Sequence, residues 1–548
     1  MMNAQTFTTE LLAQSDLQSV GIWLDQMQHL WGNTIYADEV IELLRQDAYQ
    51  KLYSDLEASR QTANVMFLFA DYTKEPTHRA LALRTRANAY YVGDGNYRAA
   101  LSDFDDAHTI YHEQNNELGC ALVAIGRCIV MFYLGQTDAA FEQGIWAQGI
   151  LIAYQQSERA AAISTNIGTM YDKLWDSPKA LQYWEEALDL CPKNNRQLYA
   201  QILLNQSLAL RNLGQFETAI QCAEDAYEIF LQLNKTASAN RSQQSIAVSY
   251  LVKGRYNEAF DILTKVKEVW IKDQRWYDTI YVDLYMLDAL LKIYRYQEVI
   301  DRSGYIEQQF RELGVHVEAA LILLTKARAH IGLAQYVEAE NSLKLAKERF
   351  STHGNQLAVK RINLELASIL VMQTHWDDAR KLVQDGLDYF SEHKFFADET
   401  YARLLLYQIA LDTDNHALAQ SHIDHAFARA IQMGNPQLLY RCHYAQGILL
   451  SRMSQNVNAL AAYQEAVAQI NYLQNGLMID HRIEFIAHHY EIYTQIVELC
   501  LQLNRFDDAL TYVEQAKSRT LLDLLSHRID LQIEAKKADD QALIENLR

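Results

Sequence analysis

The sequence predicts an all-α fold, a right-handed α-solenoid of helix-turn-helix repeats with a period of about forty residues. Three observations point to it. Proline, which removes a donor and clashes one turn back inside a helix, occurs only four times in 548 residues. A small residue recurs at Ala100, Ala140, Ala180, Ala219, Ala259, Val299, Ala339, Ala379, Ala419, Ala459 and Ala509, with gaps of 40, 40, 39, six of 40 and a last of 50. Seven residues further on, a second small column runs through Ala107, Ala147, Ala187, Ala226, Ala346, Gly386, Ala426, Ala466 and Ala516, interrupted by Val266 and Ile306. Seven residues are two helical turns, so both columns share one side of one helix, where small side chains let a neighbouring helix approach closely.

Taken in order, residues 1–76 read as N-terminal capping helices and a degenerate repeat, since terminal units must close the core. Leu17, Val20, Leu24, Met27 and Leu30 form an apolar stripe at helical spacing, and residues 38–70 read as one further long helix. From residue 77 to 525 the regular array holds about eleven repeats. In each, a first helix carries its own small residue (Cys128, Gly168, Ser207, Ala247, Ala327, Ala367, Gly447) twelve positions before the first column. That helix must end in a left-handed residue, supplied by Gly95, Gly135, Gly214 and Gly254 and later by Asp414, Ser454 and Asn504. An aromatic follows two positions on, at Tyr97, Phe216, Tyr256, Tyr296, Tyr336, Trp376 and Phe506, placed to plug the space between repeats. This unit resembles the tetratricopeptide (TPR) repeat, whose usual period is near 34. The longer period implies longer helices and a deeper groove, and resembles the long-repeat TPR arrays of bacterial sensor and regulatory proteins. The single one-residue slip from Ala100 to Ala459 predicts one continuous solenoid.

Composition removes several function classes. Lys and Arg number 49 against 69 Asp and Glu, a net charge of −20 that repels a phosphate backbone, so direct nucleic-acid binding is not expected. The six cysteines show no CxxC pairing and lie in apolar stretches, which suits reduced, buried thiols. The N-terminal MMNAQTFTTE lacks the order of a secretory leader, and no apolar run is long enough to span a bilayer, so a cytoplasmic protein without membrane association is expected. Phosphate-loop, HExxH and GxSxG motifs are absent, so no catalytic residue and no cofactor is assigned. His481, Glu484, His488 and Glu491 share a helical face, but the stretch reads equally as a solvated surface, and no metal is expected. Cys442 with His443, and Cys500 with His488, are poorly spaced for a nucleophile and its base.

The C-terminal end departs from the period. Ten extra residues lengthen the first helix of the last unit, around IDHRIEFIAHHYEIYTQIVELCLQL, and NRFDDALTYVEQAKSRTLLDLL follows at 504–525. With Glu514, Lys517, Arg519, Leu521, Leu522, Leu524 and Leu525, this segment resembles the closing part of TPR arrays in the CHAT family (caspase-like domains associated with tetratricopeptide repeats). The resemblance runs from about residue 77 to 548. It implies that Glu514, Lys517, Arg519, Leu522 and Leu525 couple the array to a protease, with residues 526–548 as a linker helix. The family's caspase-like domain and its His/Cys dyad are not in this sequence, so that domain is expected downstream or as a separate chain in trans.

By the same resemblance, the first helix of each pair faces a partner-binding groove. One of its columns holds Gln201, Arg241, Tyr281, Leu321, Arg361, Tyr401 and Arg441; another holds Asn166 and Asn205, matching the asparagine that contacts ligand backbone in TPR peptide binders. An Arg/Tyr ladder in an acidic protein suits a carboxylate-bearing peptide, because guanidinium forks match carboxylates. Intrahelical pairing such as Arg361 with Glu365 is the competing use of these side chains. The expected function is therefore a protein-interaction scaffold, the regulatory module of a CHAT-type protease system. A ligand-sensing arm of a bacterial STAND-type ATPase or transcription regulator is the alternative.

Overall fold

The computed structural model describes residues 2–515 except 33, 53–55, 94–95, 175, 313–315, 353–354 and 478. The chain divides into two compact units, Met1–Gln206 and Ser207–Arg548. In the first lie α1 (Ala4–Leu12), α2 (Leu17–Gln26), α3 (Gln28–Trp31), α4 (Thr34–Lys51), α5 (Leu56–Thr73), α6 (Pro76–Gly93), α7 (Tyr97–Glu113), α8 (Glu117–Tyr133), α9 (Thr137–Ala153), α10 (Ser157–Lys173) and α11 (Ser177–Leu190). The boundary falls inside α12 (Arg196–Asn212). The second unit continues through α13 (Phe216–Gln232), α14 (Thr236–Val252), α15 (Tyr256–Lys272), α16 (Trp276–Lys292), α17 (Tyr296–Glu312), α18 (His316–Gly332) and α19 (Tyr336–Thr352). It then runs through α20 (Gln356–Met372), α21 (Trp376–Glu392), α22 (Phe396–Asp412), α23 (His416–Met433), α24 (Pro436–Arg452), α25 (Asn456–Asn475), α26 (Ile479–His488) and α27 (Tyr490–Gln502). The fold is all-α, a TPR-like succession of helix-turn-helix pairs.

The alanine columns do what their spacing predicted. Every member of the first column from Ala100 to Ala459 is fully buried, Val299 included. The glycines of the first helices receive aromatic rings from the second: a Cβ on Gly168 would stand 2.5 Å from the Trp184 ring, and one on Gly447 would collide with Tyr463. Trp184 completes the contact by donating its indole N–H to the Thr165 carbonyl at 3.1 Å.

In most of the described repeats both turns, not only the first, contain a left-handed residue. Asn115, Gly135, Gln155 and then Gly214, Asn234, Gly254, Gln274, Tyr294 occur twenty residues apart with φ between 53° and 83°. The next backbone N–H closes each helix on the carbonyl five residues back, as from Gln136 to Met131 at 2.9 Å and from Lys235 to Phe230 at 2.8 Å. The residue that closes one helix then accepts the first bond of the next, as Gln136 does from Ala140 at 3.0 Å. Three residues thus end one helix and start another.

Three sequence expectations are corrected. Residues 38–70 are two antiparallel helices, α4 and α5, rather than one. The stripe from Leu17 to Leu30 is split between α2 and α3. The lengthened helix near the C-terminal end is broken at His489 into α26 and α27. The single slip in register lies beside the unit boundary: α11 is only 14 residues long, ending at the extended Cys191 before Pro192, which cannot continue a helix.

Candidate partner-binding face of the second unit

The ladder residues of the second unit are tied from repeat to repeat. Arg241 donates twice to Asp278 at 3.2 Å, Arg361 forks onto Asp398 with both bonds 2.8 Å, and the Tyr281 hydroxyl donates to Glu318. Each partner lies 37 residues on, in the first turn of the next first helix. A carboxylate there also meets the positive end of its helix, so one acidic side chain both makes the bridge and suits the helix dipole. The fork of Arg361 thus goes to the next repeat. Glu365, almost fully buried, instead accepts from Arg328 at 2.7 Å and from the Tyr401 hydroxyl at 3.4 Å. Where Leu321 replaces the cation, the position 37 residues later is Ala358, and the pairing becomes apolar.

Arg441 breaks the pattern. Position 478, 37 residues on, is Met rather than an acid, because the ten-residue insertion begins there. Among the described residues Arg441 has no carboxylate partner. It is exposed, its guanidinium carbon 5.9 Å from the Tyr401 ring centre, and the phenols of Tyr294, Tyr401, Tyr440 and Tyr296 surround it. Desolvation works against its charge while the four phenol oxygens favour it, and the balance holds its pKa above the usual arginine value.

The insertion itself builds the rest of this cluster. α26 packs back on the earlier repeats of the same unit. Its Phe485 and His488 lie against Tyr294, with ring centres 5.5 and 3.8 Å apart, and His481 Nδ1 lies 3.2 Å from Arg295 Nη1. The fully buried His489 donates from Nδ1 to the Phe485 carbonyl at 2.7 Å, which leaves Nε2 to accept from the Tyr294 hydroxyl at 3.3 Å. Burial pushes its pKa down to about 4. Next to α26, Asn257 N–H donates to the Gly476 carbonyl at 3.0 Å, and a Cβ on Gly254 would collide with Leu473. One hydrophobic core accordingly joins residues 247–329 to residues 459–509.

The remaining predicted positions have other roles. Asn166, in the first unit, donates its amide to the Ile125 carbonyl of α8 at 2.7 Å. Asn205 accepts from Gln201 on its own helix at 3.1 Å. Glu514 is exposed on a helix that begins at 506, while Lys517, Arg519, Leu522 and Leu525 lie outside the described residues. Burial pushes the Cys442 thiol up to about 12, and His443 packs edge-on against Phe427 at 4.8 Å. Among the described residues no group of His, Cys, Asp and Glu could hold a metal ion, and no helix is long and apolar enough to cross a membrane. Arg441 stands in the same column as Arg241 and Arg361, and the Met at position 478 is the sequence signal that the acid of those two pairs is missing there.

The tetratricopeptide repeat family profile matches residues 200–232. No curated protein matches the chain. Among solved structures it is similar to a chain of the APC/C hetero-tetramer Cut9-Hcn1, at 14% identity over 91% of this chain and 96% of that one, with a TM-score of 0.48. It is also similar to the apo quorum sensor NprR from B. thuringiensis, at 15% identity over 63% and 97% with a TM-score of 0.45. A third is a Rap protein complexed with Competence and Sporulation Factor, at 13% identity over 73% and 99% with a TM-score of 0.40. Identities and scores this low transfer neither partner nor activity to this chain.

Proposed function

We propose that the chain is a protein-interaction scaffold whose second unit grips an acidic or carboxylate-bearing segment of a protein or peptide partner at Arg441. The observation that carries this reading is the contrast within one column. Arg241 and Arg361 spend their guanidinium groups on Asp278 and Asp398, whereas Arg441, among tyrosines, has no carboxylate partner among the described residues. A guanidinium supplies bidentate geometry for a carboxylate, and tyrosines supply contact area with little rotamer entropy to lose. Arg241, Tyr281, Arg361 and Tyr401 then serve to tie one repeat of this unit to another.

A fluorescein-labelled glutamate-rich decapeptide, titrated with the full chain and followed by anisotropy at 50 and 150 mM salt, tests the reading. Arg441→Ala should weaken binding roughly tenfold, the scale of one lost charge-assisted hydrogen-bond pair, while Arg361→Ala leaves affinity close to wild type. Equal affinity of wild type and Arg441→Ala would exclude the site.

The finer setting we propose is regulatory: the array acts as the sensing arm of a CHAT-type system, with a caspase-like domain in cis or in trans. The resemblance of residues 504–525 supports this, with Glu514, Lys517, Arg519, Leu522 and Leu525 as the coupling segment. Co-expression with the caspase-like domain encoded downstream or in the adjacent gene should yield a complex by size exclusion. The absence of such a domain from both places contradicts this setting.

A further inference from the structure

A second arginine without a counter-charge lies in the first unit, away from the ladder. Arg84 on α6 lines a small cleft of about 30 Å³ together with Arg45, Tyr49, Ser59, Thr85 and Asn88. Its neighbour Arg86, two residues on, forks onto Asp103 at 2.7 and 2.8 Å; Arg84 makes no ion pair or hydrogen bond among the described residues. Of the other polar groups of the cleft, the two hydroxyls are spent as donors and the nitrogen donors are not. The Ser59 and Thr85 hydroxyls give their protons to the Ala48 and Leu81 carbonyls, at 2.7 and 2.8 Å. Arg45 holds Glu42 through Nε and Nη2, at 2.7 and 2.5 Å, and keeps Nη1 unspent. The Asn88 amide, one helical turn beyond Arg84, has no hydrogen-bond partner among the described residues. Arg159 of α10 adds a third positive charge to the surroundings; Glu42 and Glu158 are the acids there, and Glu42 is already clamped.

An exposed lone arginine needs no explanation, but this one is drawn into the protein. Desolvation lowers its pKa to about 10, and the nearby Arg45 and Arg159 charges add to the effect. It remains charged at neutral pH all the same, so a cation is kept in a cleft beside two others, in a chain with twenty more acidic than basic residues. Among the described residues none of those acids forms an ion pair with it. A ligand can.

We propose that this cleft is an oxyanion-binding site, in which the Arg84 guanidinium, the free Nη1 of Arg45 and the Asn88 amide together take a phosphate or carboxylate group. The geometry favours a group with two or three acceptor oxygens, because the planar forks of Arg84 and Arg45 supply paired donors. The site is independent of Arg441, and its failure would leave the proposed function untouched.

Thermal unfolding of the full chain in sodium phosphate, sodium acetate or sodium chloride, at equal ionic strength, tests it, with calorimetric titration of the same anions. A saturable rise of the midpoint in phosphate alone identifies a phosphate site, and an equal rise in acetate identifies an oxyanion site that admits carboxylates. Arg84→Gln should fold, melt no lower than wild type in chloride, and bind the anion at least tenfold more weakly. Asn88→Ala should weaken it by less, and Arg79→Gln, on the exposed surface, should leave it unchanged. An identical anion response in wild type, Arg84→Gln and Asn88→Ala, or no response beyond chloride, overturns the proposal.

Discussion

At the scale of single residues, the turns carry strain that a glycine would relieve. Thr374 is a β-branched residue held at φ 63°, in the position that Gly135, Gly214 and Gly254 occupy in other repeats. Thr374→Gly should therefore raise the unfolding free energy by about 1 kcal/mol, read from urea denaturation with an unchanged m-value. Gly254→Ala should do the reverse, because it adds a Cβ at positive φ against Leu473. The ladder offers a third case. Arg361→Ala leaves Asp398 mostly buried without its fork and should cost about 1–2 kcal/mol. A double-mutant cycle with Asp398→Ala should recover part of that loss. The ladder column was readable in the sequence because one spacing recurs. Its partners were not, because Glu365 one turn on offered an equally good local acid, and only the geometry between repeats chooses Asp398.

At the scale of elements, the first and second helices could be told apart by their small residues. A Cβ is the most that fits where two helices meet, and a ring from the partner helix fills what glycine leaves. Gly447→Ala should on this account destabilise the second unit by about 1–3 kcal/mol, the range for overpacking, by forcing the Tyr463 ring aside. The break between α26 and α27 was not readable, since no proline or glycine marks it; the buried His489 sits there instead. His489 also gives α26 a pH dependence. Its pKa is lowered by burial from 6.5 to about 4, so the unfolded state binds the extra proton first. The stability it permits is present above about pH 6.5 and is lost as pH falls toward 4. Amide exchange in α26 should accelerate between pH 6.5 and 4.5 relative to α24, after correction for intrinsic rates. His489→Gln should flatten that dependence.

At the scale of the whole chain, a forty-residue register predicted one array, and the structure divides into two units at a helix in the repeat where that register slips. The slip was visible in the sequence as a gap of 39; what it meant was not, because one deleted residue is compatible with a continuous stack. The lengthened last unit was read as preparation for a following domain. Its extra residues build α26, which packs on Tyr294 and Arg295 of the same unit and helps to surround Arg441. The loss of the repeat's acid thus goes with the addition of Phe485, His488 and His489 beside the tyrosines of the regular repeats. Charge reversal tests the resulting account most directly. Affinities of wild type and Arg441→Glu for matched glutamate-rich and lysine-rich decapeptides, measured by anisotropy at one ionic strength, should show wild type preferring the acidic peptide and the variant preferring the basic one. An unchanged preference after reversal would contradict the assignment of Arg441 as the partner-binding cation.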